Sequence, residues 1–260
     1  MTSQVLVERR DSVALLTVSD PDRRNALTLD LSDELTAAVQ RCERDESVGA
    51  LVVTGAPPAF CAGGDLGALA DAGKAGSDTD LRRIYRPFLA VARSALPTVA
   101  AVNGPAVGAG LNLALACDVR LAGPAARFDA RFLQLGVHPG GGMTWLLQRA
   151  VGPQAARAMV LFGEVWDGAE AVRVGLAHRL VDTADAGDDR GRAHDLVVAA
   201  AVELAARAAA APRDLVTTTK TTMRDTGAMT EHAPAIEREV GPQIASLGSQ
   251  AFAETIRRSR

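Results

Sequence analysis

Residues 97–118 read PTVAAVNGPAVGAGLNLALACD and contain the main features from which the fold can be predicted. Its first six residues form a near-continuous apolar run, which is typical of a strand that is covered on both faces. A glycine-rich turn follows at residues 104–110 and opens onto a second apolar run that reads as a helix. A strand, a glycine-rich turn and a helix therefore succeed one another here.

Parts of this order recur on both sides of this stretch. Residues 50–54 (ALVVT) predict a second buried strand, which the glycine-rich turn GAPPAFCAGGDLG follows at residues 55–67. A third glycine-rich turn, residues 136–142 (GVHPGGG), precedes another helix-like run. The apolar spacing predicts further strands at residues 5–8, 13–18 and 119–122, and a helix at Leu29–Arg44 with Asp30 as its N-cap.

The C-terminal part has a different texture. After the polar stretch DTADAGDDRGR (residues 182–192), the chain turns to alanine-rich helices. We therefore expect a core domain over residues 1–191 and a C-terminal helical region over residues 192–260. The long apolar stripes of these helices predict that the region makes contacts between copies of the chain.

The composition is that of an ordinary globular protein, and it disfavours several classes. Of the 260 residues, 48% are apolar and 23% are charged, which provides for a buried core. A net charge of −3 and an aromatic content of 3% disfavour nucleic-acid binding. Three widely spaced cysteines suit neither a disulfide framework nor a zinc site, so we expect no metal and a reducing compartment. A charged N-terminus and short apolar runs predict no signal peptide, no membrane span and a cytoplasmic location.

The glycine-rich turns do not match the common phosphate-binding or nucleophile motifs. The chain has neither the dinucleotide spacing G-x-G-x-x-G at residues 104–110 nor a P-loop, a G-x-S-x-G elbow or H-E-x-x-H. The remaining chemical use of such turns is to present backbone N–H groups to a ligand. Two turns that face each other would form an oxyanion hole. The alternative is that they are only tight turns between packed elements.

Several motifs stand in a recognisable order along the chain. They are RNAL (residues 24–27), AFCAGGDL (59–66), PTVAAVNG (97–104) with GAG (108–110) and LALACD (113–118), LGVHPGGG (135–142) and GLA (175–177). On these motifs the chain resembles the crotonase (enoyl-CoA hydratase/isomerase) superfamily. The resemblance covers the chain up to about residue 180.

The resemblance implies a fold, a ligand and an assembly. The fold is α/β, a superhelix of ββα units with two roughly perpendicular sheets and a C-terminal helical region that assembles homotrimers or hexamers. The ligand is an acyl-CoA thioester, with no cofactor besides the coenzyme A that the ligand carries. The oxyanion amides would be those of Gly64 and Ala109. The adenine end would lie against backbone at Ala26, Ala62, Asp65 and Leu66, although Asp65 alone also reads as a helix cap.

Two positions depart from the pattern of the hydratases. The resemblance places the two hydratase glutamates at residues 112 and 132, where this chain has Asn112 and Phe132. Addition of water across a conjugated double bond needs a base for the water and an acid for the α-carbon. Asn112 can position a water without accepting its proton, and Phe132 can do neither. We therefore expect standard hydration to be weak or absent.

Two other residues are candidates to replace the missing groups. Asp129 precedes Phe132 by three positions, and its alternative interpretation is a surface carboxylate paired with Arg127 or Arg131. His138 lies in the third glycine-rich turn and carries the side chain that most readily titrates near neutrality. Its alternative interpretation is a packed, hydrogen-bonded histidine.

Phe132 is expected to line an apolar acyl pocket, whereas Met143 and Trp145 fit either that pocket or the core. Two functional hypotheses remain open. One is an acyl-CoA enzyme that catalyses isomerisation, thioester cleavage or decarboxylation. The other is a catalytically silent acyl-CoA binding protein that serves partner enzymes. A purely structural oligomer is disfavoured, because both amide-bearing turns are kept.

Overall fold

The computed structural model describes residues 3–258, in which nine strands form two sheets. The six-stranded sheet has the order β1-β2-β3-β4-β6-β9, and the three-stranded sheet has the order β5-β7-β8. The strands are β1 Gln4–Arg10, β2 Val13–Ser19, β3 Ala50–Gly55, β4 Thr98–Val102, β5 Pro105–Val107, β6 Val119–Ala122, β7 Arg127–Asp129, β8 Trp166–Asp167 and β9 Arg179–Leu180. The first two strands pair antiparallel, and the rest of the large sheet is parallel.

Ten helices surround these sheets in the described part of the chain. They are α1 Leu29–Arg44, α2 Leu66–Ala75, α3 Thr79–Arg93, α4 Ala109–Ala116, α5 Met143–Phe162, α6 Gly168–Arg173, α7 Arg190–Ala209, α8 Arg213–Thr226, α9 His232–Leu247 and α10 Gln250–Arg258. Within residues 3–258, none of them combines the length and apolar character that crossing a bilayer requires.

Most of the predicted elements are present, and one cap is wrong. Helix α1 has the predicted bounds, but its N-cap is Thr28, whose Oγ1 accepts a hydrogen bond from the Leu31 amide at 3.2 Å. Asp30 lies inside the first turn instead, where its charge still favours the positive end of the helix dipole. A hydroxyl two residues earlier therefore takes the capping role that was assigned to the carboxylate.

The large sheet is covered on both faces, which explains its continuous apolar strands. In β2, Val13 and Leu15 pack in one apolar cluster with Val197 and Ala201 of α7. Leu16 belongs to the main core on the other face, together with residues of α1 and α3. Helix α7 therefore completes the core, and the helical region expected from residue 192 begins inside this helix.

The second glycine-rich turn contains a short strand that its sequence does not predict. Strand β5 lies within residues 104–110 and pairs in parallel with β7. It also contacts the first glycine-rich turn, because Cys61 forms an isolated parallel bridge with Ala106. The Cys61 amide donates to the Pro105 carbonyl at 3.0 Å, and the Val107 amide donates to the Cys61 carbonyl at 3.0 Å. These bonds hold the two turns side by side.

Candidate active site

A cavity of about 690 Å³ lies where the three glycine-rich turns meet. Gly63 and Gly64 from the first turn, Gly108 and Ala109 from the second and Gly140 from the third contribute to its wall. Apolar side chains of α2 and α3, including Leu66, Leu69 and Ile84, complete much of the remainder. A cavity of this size is in the range that binds small organic ligands.

The first turn directs the Gly64 amide away from Leu27, with which Gly64 forms an isolated parallel bridge. The Leu27 amide donates to the Gly63 carbonyl at 2.7 Å, and the Asp65 amide donates to the Leu27 carbonyl at 3.0 Å. In such a parallel bridge the N–H and C=O of the central residue point to the opposite side. Within residues 3–258, no protein group accepts from the Gly64 N–H.

The second turn places the Ala109 amide at the start of α4. The N–H of a first helical residue has no partner inside the helix, and no other group in residues 3–258 accepts this one. The turn approaches the first one very closely, because a Cβ at Gly110 would lie 2.1 Å from the Cys61 carbonyl oxygen. A Cβ at Gly63 would lie 3.8 Å from the Ala109 nitrogen. Both predicted oxyanion residues therefore border the same cavity.

Asn112 connects α4 to the third turn. Its side chain is 1% exposed, and its Nδ2 donates to the Gly140 carbonyl at 3.0 Å. Its Oδ1 is buried without a hydrogen-bond partner in residues 3–258. Gly141 has φ +66°, and a Cβ there would lie 2.6 Å from the Asn112 Nδ2. The amide thus fastens the third turn against α4 and lines the cavity.

Phe132 also lines the cavity, close to the second turn. It directly precedes the short 3-10 helix Leu133–Leu135, and its ring atom Cζ lies 3.9 Å from the Cβ position of Gly108. An aromatic ring thus stands beside the loop that carries the Ala109 amide. By contrast, Met143 is buried in the core, and Trp145 is 60% exposed, with the Arg149 guanidinium 4.6 Å above its ring.

Asp129 is a buried residue of the cavity wall, so its interpretation as a surface carboxylate is wrong. It is 3% exposed and ends β7, where its carbonyl accepts the Gly108 amide at 2.9 Å. The expected pairing with Arg131 is present: the Nε of Arg131 donates to Oδ2 at 2.7 Å, and its Nη2 contacts the same oxygen. The burial follows from the parallel pairing of β7 with β5.

His138 is exposed, so its interpretation as a packed histidine is wrong, although it borders the cavity. Its Nδ1 lies 2.8 Å from the Pro139 carbonyl oxygen, and that bond to a neighbouring residue leaves the ring at the surface. Its proposed role as a substitute acid or base stays a prediction.

Two of the four residues expected near the adenine end line the cavity. Ala62 and Leu66 line the cavity, and the Ala62 amide donates to the Arg24 carbonyl at 3.0 Å. Ala26 is half-buried in the adjoining turn. Asp65 caps α2, because its Oδ1 accepts the Ala68 amide at 2.9 Å. The cap interpretation of this carboxylate is therefore confirmed.

Tyr85 is a cavity residue that sequence reasoning missed. It lies on α3, and a Cβ at Gly140 would stand 2.3 Å from its hydroxyl oxygen. Burial raises the pKa of its phenol, which a hydrogen bond from the Gly141 amide partly opposes. The hydroxyl thus remains protonated near neutrality. Its one distinguishing feature in the sequence is that the chain contains no other tyrosine.

The cysteines are unsuited to act as nucleophiles. All three are free and buried, and burial raises the pKa values of Cys61 and Cys117 to about 12. The thiolate is the reactive form, so these thiols are inert near neutral pH. Across residues 3–258, no group of three or more His, Cys, Asp or Glu residues could hold a metal ion.

Fold and site together define a class: an α/β protein in which glycine-rich turns bring two backbone amides, without acceptors in residues 3–258, to one largely apolar cavity. The family described as Enoyl-CoA hydratase/isomerase matches residues 8–257. The chain belongs to this family. The predicted α/β fold, with two sheets and C-terminal helices, is thereby confirmed.

Individual relatives agree with this assignment. The probable enoyl-CoA hydratase EchA14 of Mycobacterium tuberculosis is 54% identical over 254 residues, which cover 96% of this chain and 94% of the relative. The 2,3-dehydroadipyl-CoA hydratase of Escherichia coli is 39% identical over 175 residues, 67% of this chain and 68% of the relative. The structure of DspI from Pseudomonas aeruginosa is similar with a TM-score of 0.87 at 30% identity, covering 98% of this chain and 93% of that one.

Proposed function

We propose that the cavity binds an acyl-CoA thioester and places its carbonyl oxygen between the amides of Gly64 and Ala109. The observation that carries this proposal is that two N–H groups from different turns border one cavity and have no acceptor within residues 3–258. Amides in this arrangement stabilise the negative charge that an enolate develops on the thioester oxygen. The acyl chain would extend along the apolar wall near Phe132 and Ile84.

The side chains of the cavity make standard hydration weak or absent in this proposal. Asn112 and Phe132 stand where the family resemblance places the two hydratase glutamates, and neither transfers a proton at neutral pH. Asn112 is also committed to the Gly140 carbonyl. Each acid or base typically contributes about 10²–10⁴-fold to a rate, so the loss of both lowers hydration by several orders of magnitude.

A silent acyl-CoA binding protein is the second candidate, with a role in delivering fatty acyl chains to partner enzymes of lipid metabolism. The observation that favours it is the absence of an ionisable side chain at both positions, while the amides remain. The buried free cysteines favour a reducing compartment, and we infer a cytoplasmic location for either candidate.

The experiment that tests the proposed function separates binding from turnover. Calorimetry with saturated acyl-CoAs of graded length measures binding, and loss of the ultraviolet absorbance of crotonyl-CoA measures hydration. We expect binding of the saturated thioesters together with slow or undetectable hydration. A hydration turnover of about 10 s⁻¹ or more, which is typical of enzymes, would refute the weak-hydratase assignment.

We also propose that copies of the chain assemble into a homotrimer or a pair of trimers. Helices α8 to α10 leave large apolar side chains exposed, among them Met223, Ile244 and Leu247. Exposed apolar patches of this kind mark interaction surfaces. Light scattering should give a mass of three or six chains, and a mass near 27.0 kDa across micromolar concentrations would contradict the proposal.

A further inference from the structure

We propose that the Asp129 carboxylate is the proton-transfer base of this site and that it serves a double-bond shift in an unsaturated acyl-CoA. The proposal rests on the proposed function, because it needs the thioester to be held by the two amides. A shift of this kind uses one base twice, whereas hydration uses an acid and a base together. It therefore suits a cavity with a single carboxylate.

The strand pairing places Asp129 next to the loop that carries an oxyanion amide. Asp129 pairs with Val107 in the parallel register of β7 and β5. Its carbonyl accepts the Gly108 amide at 2.9 Å, and the next residue along that loop is Ala109. Alternate residues of a strand point to opposite faces, so the buried ring of Phe128 enters the core while Asp129 faces the cavity.

Asp129 is the one carboxylate side chain at the cavity wall, as far as residues 3–258 are concerned. The other ionisable side chains there are Arg24, Tyr85, Arg127, Arg131 and His138. The arginines remain charged at all physiological pH values and cannot accept a proton. His138 is exposed, whereas Asp129 is almost fully buried. Among the ionisable side chains of residues 3–258 that line the cavity, Asp129 alone combines a carboxylate with near-complete burial.

Arg131 holds this carboxylate in place through one of its two oxygens. Both guanidinium contacts, from Nε and from Nη2, go to Oδ2, so this clamp does not use Oδ1. Burying an unpaired carboxylate is costly, and the half-exposed guanidinium offsets that cost. The Arg131 backbone adopts φ +58°, a left-handed conformation that is uncommon for a residue with a side chain. Such strain persists where the surrounding structure enforces it.

The reaction can be written with a single base. For a 3-enoyl-CoA, the C2–H bond breaks, its proton goes to Asp129, and its electron pair delocalises through the thioester to form a dienolate. The amides of Gly64 and Ala109 hold the negative oxygen. The same proton then forms a C4–H bond, the double bond moves to C2–C3, and Asp129 is again ionised. Atoms and electrons balance without a further reactant.

The test uses two probes and two variants at one position. Conversion of 3-hexenoyl-CoA to 2-hexenoyl-CoA is followed by its ultraviolet absorbance, and exchange of the α-protons of hexanoyl-CoA in deuterium oxide is followed by proton NMR. The variants are Asp129→Asn and Asp129→Glu. The control is Asp225→Asn, because the Nε and Nη2 of Arg238 also contact a single oxygen of Asp225, away from the cavity.

We expect the unmodified protein to catalyse both reactions. Asp129→Asn should lower both rates by about 10²–10⁴-fold, which is the usual contribution of a general base, and leave hexanoyl-CoA binding in place. Asp129→Glu keeps a carboxylate but displaces it, so its rates should lie between the two. Asp225→Asn should leave both rates unchanged. A structural role for Asp129 would instead change thermal stability and binding together with the rates.

Several outcomes would overturn the assignment, and they separate it from the proposed function. Undiminished rates in Asp129→Asn, or binding of hexanoyl-CoA without exchange or isomerisation in the unmodified protein, refute the base and leave the amide clamp standing. Failure to bind hexanoyl-CoA refutes the clamp and the base together. If Asp129→Asn does not fold, the glutamate variant decides, since unchanged rates there contradict a positioned base.

Discussion

The cavity has a backbone side and a side-chain side, and the two differ in what a mutation can change. On the backbone side, the amides of Gly64 and Ala109 are set by turn geometry and depend on no side-chain chemistry. On the other side, Asn112 and Phe132 stand where the family resemblance implies the two hydratase glutamates. If the amides hold the thioester as proposed, we expect ligand binding and reaction type to respond to different mutations.

Changes on the side-chain side of the cavity should alter the hydration rate most. Asn112→Glu combined with Phe132→Glu should raise crotonyl-CoA hydration by orders of magnitude over the unmodified protein, because it supplies both missing groups. Either single change should do much less, since the acid and the base act as a unit. Steady-state hydration rates measure the effect. Circular dichroism must accompany them, because a glutamate at position 132 brings a charge against the loop of Gly108.

This prediction fails if the double variant folds, binds acyl-CoA and hydrates no faster than the unmodified protein. In that case the positions of the carboxylates relative to the thioester would differ from those that the family resemblance implies. The action of the backbone amides would then depend on the cavity side chains more than we propose.

A smaller loss of rate is expected from a change on the backbone side that leaves Asn112 and Phe132 unchanged. Ala109→Pro removes one amide hydrogen at the first residue of α4, a helix position where proline is tolerated. Loss of one oxyanion donor typically lowers turnover by about 10²–10³-fold. The α-proton exchange of hexanoyl-CoA should fall by that factor. Arg190→Pro makes the matched change at the first residue of α7, away from the cavity, and should leave exchange unchanged.

An equal loss in both proline variants would show that helix disruption, rather than the missing donor, is responsible. An undiminished exchange rate in Ala109→Pro, with the fold preserved, would remove Ala109 from the oxyanion assignment.

The smallest effect is a loss of stability at the contact between Asn112 and the third glycine-rich turn. Gly141→Ala places a methyl group in a left-handed conformation and 2.6 Å from the Asn112 amide nitrogen, and 2.7 Å from the ring of the buried Phe88. Gly76→Ala places one at a similar φ of +60° with nothing within 4 Å. Backbone strain alone costs about 1–3 kcal/mol, so Gly141→Ala should destabilise the protein more than Gly76→Ala does.

Urea unfolding of the two variants measures this difference directly. Equal losses of unfolding free energy would mean that the third turn is free to move away from Asn112. The hydrogen bond between Asn112 and Gly140 would then contribute little to the shape of the cavity.

The sequence predicts the buried strands well because their pattern follows from one physical cause. In β3 and β4 every side chain is buried, since α7 covers one face of the sheet and the main core covers the other. Helix α1 is equally clear, because its apolar residues follow one stripe. These elements need no knowledge of long-range pairing.

The side-chain half of the site was harder to predict, for reasons that are also physical. Strand β7 has three residues and lacks a periodic pattern, so the burial of Asp129 depends on pairing with β5, which itself lies inside a glycine-rich turn. Residues 133–138, which include His138, are all exposed in the structure, an arrangement that no periodic pattern in this part of the sequence indicates. Tyr85 contributes to the cavity from α3, which lies outside the three glycine-rich turns in the sequence. Local residue spacing therefore does not predict its place at the cavity.

The contact between Gly110 and the Cys61 carbonyl sets a limit on how this sequence can vary. A Cβ at residue 110 would lie 2.1 Å from the Cys61 carbonyl oxygen, which is a backbone atom, so no replacement of the Cys61 side chain could make room for it. In a saturation library, position 110 should therefore accept no other residue and gain no suppressor at position 61. Position 61 itself should accept other small apolar residues. Single substitutions at position 110 therefore cannot change how the first two glycine-rich turns pack against each other.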